Sequence, residues 1–132
     1  FRTGDLAEVE GDRVRIVGRR KDIIVRGGEN LSPIEVENLV RQMPHVADVA
    51  VVGVPDEALG ERACAMVVVD GPAPALTDIR AYLDQADVAR QKAPEYLLIC
   101  SELPRTASGK VQKYLLREQA IARLAAGEGE RR

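Results

Sequence analysis

Apolar and polar residues alternate at every second position early in the chain and recur at helical spacing further on, and the switches between these periods mark its elements. Residues 6–18, LAEVEGDRVRIVG, put Val14 and Ile16 on one face and Arg13 and Arg15 on the other. A turn at Glu10, Gly11 and Asp12 completes a predicted small hairpin. A second hairpin is predicted in RRKDIIVRGGENLSP, where Ile23, Ile24 and Val25 favour a strand and Gly27–Gly28 permits a tight reversal. Ser32 then suits an N-cap, with Pro33 at the first helical position and Glu35 completing a capping box. Val36, Leu39, Val40 and Met43 follow at helical spacing, and Pro44 ends that helix.

VADVAVVGV and RACAMVVVD are nearly continuous in apolar residues, so a sheet covered by helices explains them better than a sheet with one wet face. PDEALGE connects them. DGPAPA reads as a loop, and Leu76, Ile79 and Leu83 mark a shorter helix from near Thr77. DVARQKAPE reads as a polar, mobile connection and YLLIC as another strand. From Gln112 onward Leu116, Ala120 and Leu124 recur every four residues in a final helix, and AAGEGERR frays into a tail. The predicted class is α/β, an α+β-like small domain with a central sheet of about three strands, three helices and N-terminal hairpins.

With 132 residues, one domain or one domain with a short attachment is expected. The hydrophobic content of 45% supports a core, and with one phenylalanine and no tryptophan that core must be aliphatic. A net charge of -2, from 19 basic and 21 acidic residues, gives no global field for nucleic acid or an anionic membrane. Cys64 and Cys100 lie in apolar runs, which predicts buried free thiols and a reducing, cytoplasmic setting. His45 is the single histidine, which disfavours a His/Cys metal cluster. No apolar stretch reaches about 18 residues, so no integral membrane segment is expected. The opening FRTGD, without methionine, leads to the expectation of a fragment with a larger portion missing.

The candidate chemistry begins at residues 104–110, PRTASGK. A Gly-Lys pair suggests a phosphate loop, but that pattern needs glycine where Pro104 stands and a hydroxyl residue where Val111 stands. Lys110 is then a single cation on a flexible turn, suited to a phosphate or carboxylate oxygen supplied from elsewhere.

Four ordered segments carry a more specific signal: FRTGD at 1–5, GRRKDIIVRGGENLSPIEVE at 18–37, GVPDEALGE at 53–61 and ELPRTASGKVQK at 102–113. Their order and spacing resemble the C-terminal part of the adenylate-forming superfamily, which includes acyl-CoA synthetases, aryl-acid AMP ligases and peptide synthetase adenylation domains. The resemblance covers almost the whole chain. It implies ATP-dependent activation of a carboxylic acid to an acyl-adenylate, with AMP retained, followed by transfer to coenzyme A. A small lid would close over a large N-terminal domain and rotate between the half-reactions. It implies residues 1–18 as the end of that large domain, 19–126 as the lid and 127–132 as a flexible tail. Magnesium would accompany ATP in the full-length enzyme without ligands from this stretch.

Residue by residue, the resemblance makes Lys110 the adenylation lysine. Asp5 of TGD would hold the ribose hydroxyls, Arg19 of GR would meet ribose or phosphate oxygens, and Lys21 would be the hinge. Gly27, Gly28 and Glu29 would form the loop for the thioester step, with the glycines leaving room for a pantetheine arm. Arg90 and Lys92 could contact coenzyme phosphate. Arg13, Arg15, Arg19, Arg20, Lys21 and Arg26 against the single acid Asp22 could also form a positive face, or a solvated charge run. Asp56, Glu57 and Glu61 read as a solvated connection rather than paired catalytic carboxylates. Two rivals stand beside the CoA ligase: an aryl-acid adenylating enzyme that hands its product to a carrier-protein thiol, and a noncatalytic interaction module.

Overall fold

The computed structural model describes the backbone of residues 5–10 and 13–19, and both backbone and side chains of residues 22–132. Strands β1 (Asp5–Glu10) and β2 (Arg13–Arg19) pair antiparallel, as the alternation predicts. Strands β3 (Ile24–Arg26) and β4 (Glu29–Leu31) form the second predicted hairpin. Its turn needs left-handed backbone at two successive positions, φ 57° at Gly27 and 84° at Gly28, which only glycine supplies without steric cost.

Helix α1 (Ile34–Val40) follows, then strands β5 (Val46–Asp56) and β6 (Gly60–Val69), helix α2 (Leu76–Gln85), strand β7 (Tyr96–Cys100), helix α3 (Lys113–Ala125) and strand β8 (Glu130–Arg131). Long β6 is the centre of the sheet. Along one side β5 pairs antiparallel over its whole length, from Val46–Val69 to Asp56–Gly60. On the other side β7 runs parallel against Cys64–Val68, and β3 joins at Arg26–Gly60.

Successive strand residues point to opposite faces, so each apolar run serves two cores at once. Val49, Val51, Ala63, Ala65, Val67 and Leu97 pack against α1 and α2, where Val36, Val40, Leu76, Ile79 and Leu83 are buried. Ala50, Val52, Val54, Cys64, Met66 and Leu98 face Leu116, Ala120 and Leu124 of α3. The continuous hydrophobicity of β5 and β6 is thereby explained.

Four expectations are corrected. The sheet has six strands, not about three, because the β3–β4 hairpin joins it through one residue pair and β8 adds an edge. Neither addition is long enough to show a period in sequence. Residues 127–132 are not simply a frayed tail: β8 pairs with Tyr96 and Leu97, Arg131 lies 5.5 Å from the Tyr96 ring centroid, and Glu130 accepts the Leu76 amide at 3.0 Å. The N-cap of α1 is Pro33 rather than Ser32, whose hydroxyl accepts the Ile34 amide at 3.4 Å. The connection before β7 makes a 3₁₀ turn at Arg90–Lys92 and buries Ala93, Pro94 and Glu95.

Both cysteines are free. Cys64 is buried as expected, whereas Cys100 is only half-buried, its sulfur 3.6 Å from a guanidinium nitrogen of Arg123. Burial, with a smaller contribution from Cys100, pushes the Cys64 thiol up to about 12. Burial also raises Cys100, opposed by Arg123.

Candidate functional site

Lys110 sits on a narrow loop closed by an isolated antiparallel bridge between Arg105 and Val111. The Thr106 amide donates to the Lys110 carbonyl at 2.8 Å, while the Lys110 amide donates to the Thr106 hydroxyl at 3.2 Å. Gly109 donates to the Thr106 carbonyl at 2.9 Å, and Gln112 closes the base on Pro104 at 2.8 Å. The turn residues read from PRTASGK thus fix the backbone of Lys110 from both sides.

The loop overhangs a cleft of about 780 Å³ that runs along the outer edge of β5, with α1 and the first turns of α3 as further walls. Its lining is rich in charge, but most of that charge is paired. Lys113 Nζ meets Glu37 Oε2 at 2.5 Å, Arg117 meets Glu61 at 3.3 Å, and Arg105 pairs with Asp48. Lys110 differs: among the described residues its ammonium has no hydrogen-bond or ion-pair partner. An exposed, unpaired cation beside a cleft can meet an anionic group that arrives from outside.

A second set of candidates gathers elsewhere. Glu29, beside the Gly27–Gly28 turn, lies 3.5 Å from the Gln91 amide nitrogen, and Gly27 donates to the Leu59 carbonyl at 2.8 Å. Arg26 reaches across to Glu95 at 2.6 Å, tying the hairpin to the segment that carries Arg90 and Lys92. Lys92 stands 3.6 Å from Glu35. Arg90 instead lines a smaller cleft of about 250 Å³ together with Arg80 and Arg132. Burial, with Arg132, Arg90 and Arg26 nearby, lowers the Arg80 pKa despite the opposing charge of Glu95. Gly27, Gly28, Glu29, Arg90 and Lys92 do not line the Lys110 cleft.

Asp5 and Arg19 fall in β1 and β2, whose side chains lie outside the described residues, and Lys21 lies outside them altogether. Asp56 accepts the Ala58 and Leu59 amides and pairs with Arg62 at 2.7 Å, the Arg62 hydrogen bond being the main cause of its lowered pKa. Glu61 accepts the Val25 amide at 2.9 Å. These contacts hold the strand connection together. Among the described residues no three His, Cys, Asp or Glu side chains gather as metal ligands. No described helix is long and apolar enough to cross a membrane.

Several supporting residues escape a reading by motif. Glu37 and Lys113 look like surface charges on separate helices, yet each is less than a fifth exposed, at 12% and 18%. Glu95 lies in a stretch that reads as polar linker and is 4% exposed. Burial favours its neutral form, but Arg26 and Arg62 outweigh this and hold its carboxyl below the ordinary value. The one available signal was Lys113, three residues after Lys110 at the end of ELPRTASGKVQK.

Residues 35–110 match the family described as AMP-binding enzyme C-terminal domain. The chain is 46% identical over 127 residues to a medium-chain fatty-acid–CoA ligase of Escherichia coli (strain K12), covering 94% of this chain and 22% of that protein. It is 48% identical over 120 residues to a salicylyl-CoA synthase / salicylate adenylyltransferase of a Streptomyces species, covering 89% of this chain and 22% of that one. The crystal structure of ATP-bound MatB from Rhodopseudomonas palustris superposes with a TM-score of 0.81 at 38% identity, over 90% of this chain and 24% of that chain.

Proposed function

This chain belongs to the AMP-binding enzyme C-terminal domain family, and from that membership we propose that it is the lid of an ATP-dependent carboxylate–CoA ligase that forms AMP. The larger domain would hold the acyl and nucleotide pockets, with residues 1–18 as its last stretch, 19–126 as the lid and the remainder as its tail. The shares of 22% and 24% in the matched proteins support that division.

The observation that carries the proposal is Lys110, whose ammonium is unpaired among the described residues beside the cleft while the other cations there are held by carboxylates. In adenylation a carboxylate oxygen of the substrate attacks the α-phosphorus of ATP, the bond to the bridging oxygen breaks, and pyrophosphate leaves. Lys110 would hold the incoming carboxylate against the phosphate and stabilise charge on the oxygens around phosphorus. Asp5 would bind the ribose hydroxyls, Arg19 the ribose or phosphate oxygens, and Lys21 would serve as the hinge. These three assignments rest on the sequence motifs alone. The described residues offer no ligand set for the magnesium that accompanies ATP, and no step here depends on one.

The second half-reaction would use the other set of residues. The thiol sulfur of coenzyme A attacks the acyl carbon, the acyl–oxygen bond to phosphate breaks, and AMP leaves. Gly27 and Gly28 would flank the pantetheine arm beside Glu29, and Arg90 with Lys92 would face coenzyme phosphate. The separation of this set from the Lys110 cleft supports a lid that presents different faces in turn. The relative named a salicylyl-CoA synthase / salicylate adenylyltransferase supports an aryl acid as substrate, and a second reading hands such an adenylate to a carrier-protein thiol.

The test is carboxylate-dependent pyrophosphate release by the full-length protein across a panel of acids, with and without coenzyme A. Acyl-CoA as product supports the proposal, and an adenylate that accumulates despite coenzyme A supports the carrier-protein reading. Lys110→Ala should lower pyrophosphate release by roughly 100- to 1,000-fold. Full activity of that variant, or no release with any acid, would remove the assignment.

A further inference from the structure

We propose that Arg105 is a positioning residue for Lys110 and that Asp48, at the start of β5, is the anchor that fixes it. The inference rests on the adenylation role given to Lys110 and adds residues to that same site.

The geometry is a relay of three groups. One guanidinium nitrogen of Arg105, Nη1, donates to the carbonyl of Gly109 at 2.7 Å, so it grips the peptide unit that leads directly into Lys110. The other, Nη2, pairs with Asp48 Oδ2. Asp48 is itself oriented, its Oδ1 accepting the Val49 amide at 2.9 Å and lying 3.9 Å from Nε of Arg41 at the end of α1. A planar fork can hold a carbonyl and a carboxylate at once, which a lysine ammonium on a flexible stem cannot do with fixed geometry.

Without this bridge, the loop is tied to itself by Thr106, Gly109 and Gln112. Those bonds set the shape of the loop, and Leu103 and Val111 seat its base in the core, but among the described residues only Arg105 bonds the loop to β5. Arg105 side-chain exposure is 42%, and an exposed ion pair contributes little to folding stability. The value of the contact therefore lies in where it puts the ammonium. A displacement of about 1 Å at a reacting centre can cost about 100-fold in rate.

The experiment uses the full-length protein, the carboxylic acid giving its highest pyrophosphate release, and the acyl-adenylate of that acid made chemically. Arg105→Ala should lower kcat for pyrophosphate release by roughly 10- to 100-fold, with KM for ATP and acid changed little. Conversion of the supplied adenylate by coenzyme A should stay within about threefold of the parent, since Lys110 serves only the first step. Arg105→Lys should fail to restore the rate, and Asp48→Ala should reproduce the defect more weakly. Loss of both half-reactions together, or a large fall in thermal stability, would make Arg105 a structural residue and overturn the proposal. A raised KM at unchanged kcat would make it a direct substrate contact and overturn it equally. If Lys110→Ala abolishes the first step and Arg105→Ala leaves it intact, positioning fails alone. If Lys110→Ala has no effect, the underlying reading fails first.

Discussion

Replacing Glu95 by alanine should destabilise the fold by about 3 kcal/mol, although Glu95 lies far from any motif. Its carboxylate is buried between β3, β6 and β7, receives Arg26 Nε at 2.6 Å and pairs with Arg62. Truncation leaves two guanidiniums facing each other without that counter-charge. Removing one partner of a fully buried pair costs about 3–5 kcal/mol. The lower end applies here, because Arg26 and Arg62 keep 21% and 29% of their side chains in water and Arg62 retains Asp56 at 2.7 Å. With a urea m-value of about 2 kcal/mol/M, the midpoint should fall by about 1.5 M.

Acid titration gives the sharper check. The folded pKa of Glu95 lies below its ordinary value of 4.5, so its charge stabilises the fold above that value and the contribution is lost as pH falls through the depressed one. Glu95→Gln cannot titrate. The gap in urea stability between parent and Glu95→Gln should therefore be constant near neutrality and shrink from about pH 4.5 downward. A penalty below about 1 kcal/mol for the alanine variant, or a gap that widens in acid, would refute the reasoning.

Leu116→Ala should cost about 3 kcal/mol in chemical denaturation, since Leu116 is 0% exposed where α3 meets the sheet. Iodoacetamide should label Cys100 slowly in the native state and Cys64 only on unfolding, because burial holds the Cys64 thiol near 12, and both rates should rise with pH. Gly129→Ala should loosen β8 more than the rest of the fold. A Cβ there would lie 2.5 Å from the Leu97 carbonyl at a φ of 80°, and hydrogen exchange should show a faster amide at Arg132, which donates to the Glu95 carbonyl at 2.9 Å, with α3 unchanged.

The long elements were legible because their burial repeats. Leu116, Ala120 and Leu124 are the buried residues of α3, and Val36 and Val40 those of α1, as helical spacing requires. Strand β8 was illegible because two exposed residues in a glutamate- and glycine-rich end carry no period, and only contact with Tyr96 and Leu97 makes them a strand. Ser32 shows the reverse failure: a capping sequence was present, yet α1 begins after Pro33 with a different geometry. In the site, Lys110 was visible through its motif. Glu37, Asp48 and Glu95 were not, because each partner lies 76, 57 or 69 positions away in the chain.

The same distant pairs explain why a strand edge can border an open cleft. Among the described residues β5 pairs only with β6, so its outer backbone groups would invite another strand. Charged side chains occupy them instead. Glu37 Oε2 accepts the Val51 amide at 2.8 Å, Lys113 donates to the Val51 carbonyl at 3.1 Å, Arg117 to Gly53 at 2.9 Å and Arg41 to Val49 at 3.4 Å. A strand laid on this edge would have to displace the half-buried Glu37 and Lys113 from the Val51 backbone groups and from each other, which leaves partly desolvated charges unpaired and costs more than a new ladder bond returns. The arrangement keeps the edge open while it bonds the Val49, Val51 and Gly53 carbonyls and the Val49 and Val51 amides. It also commits the other cations of the cleft to the scaffold, so among the described residues Lys110 presents one free ammonium there rather than part of a diffuse basic surface.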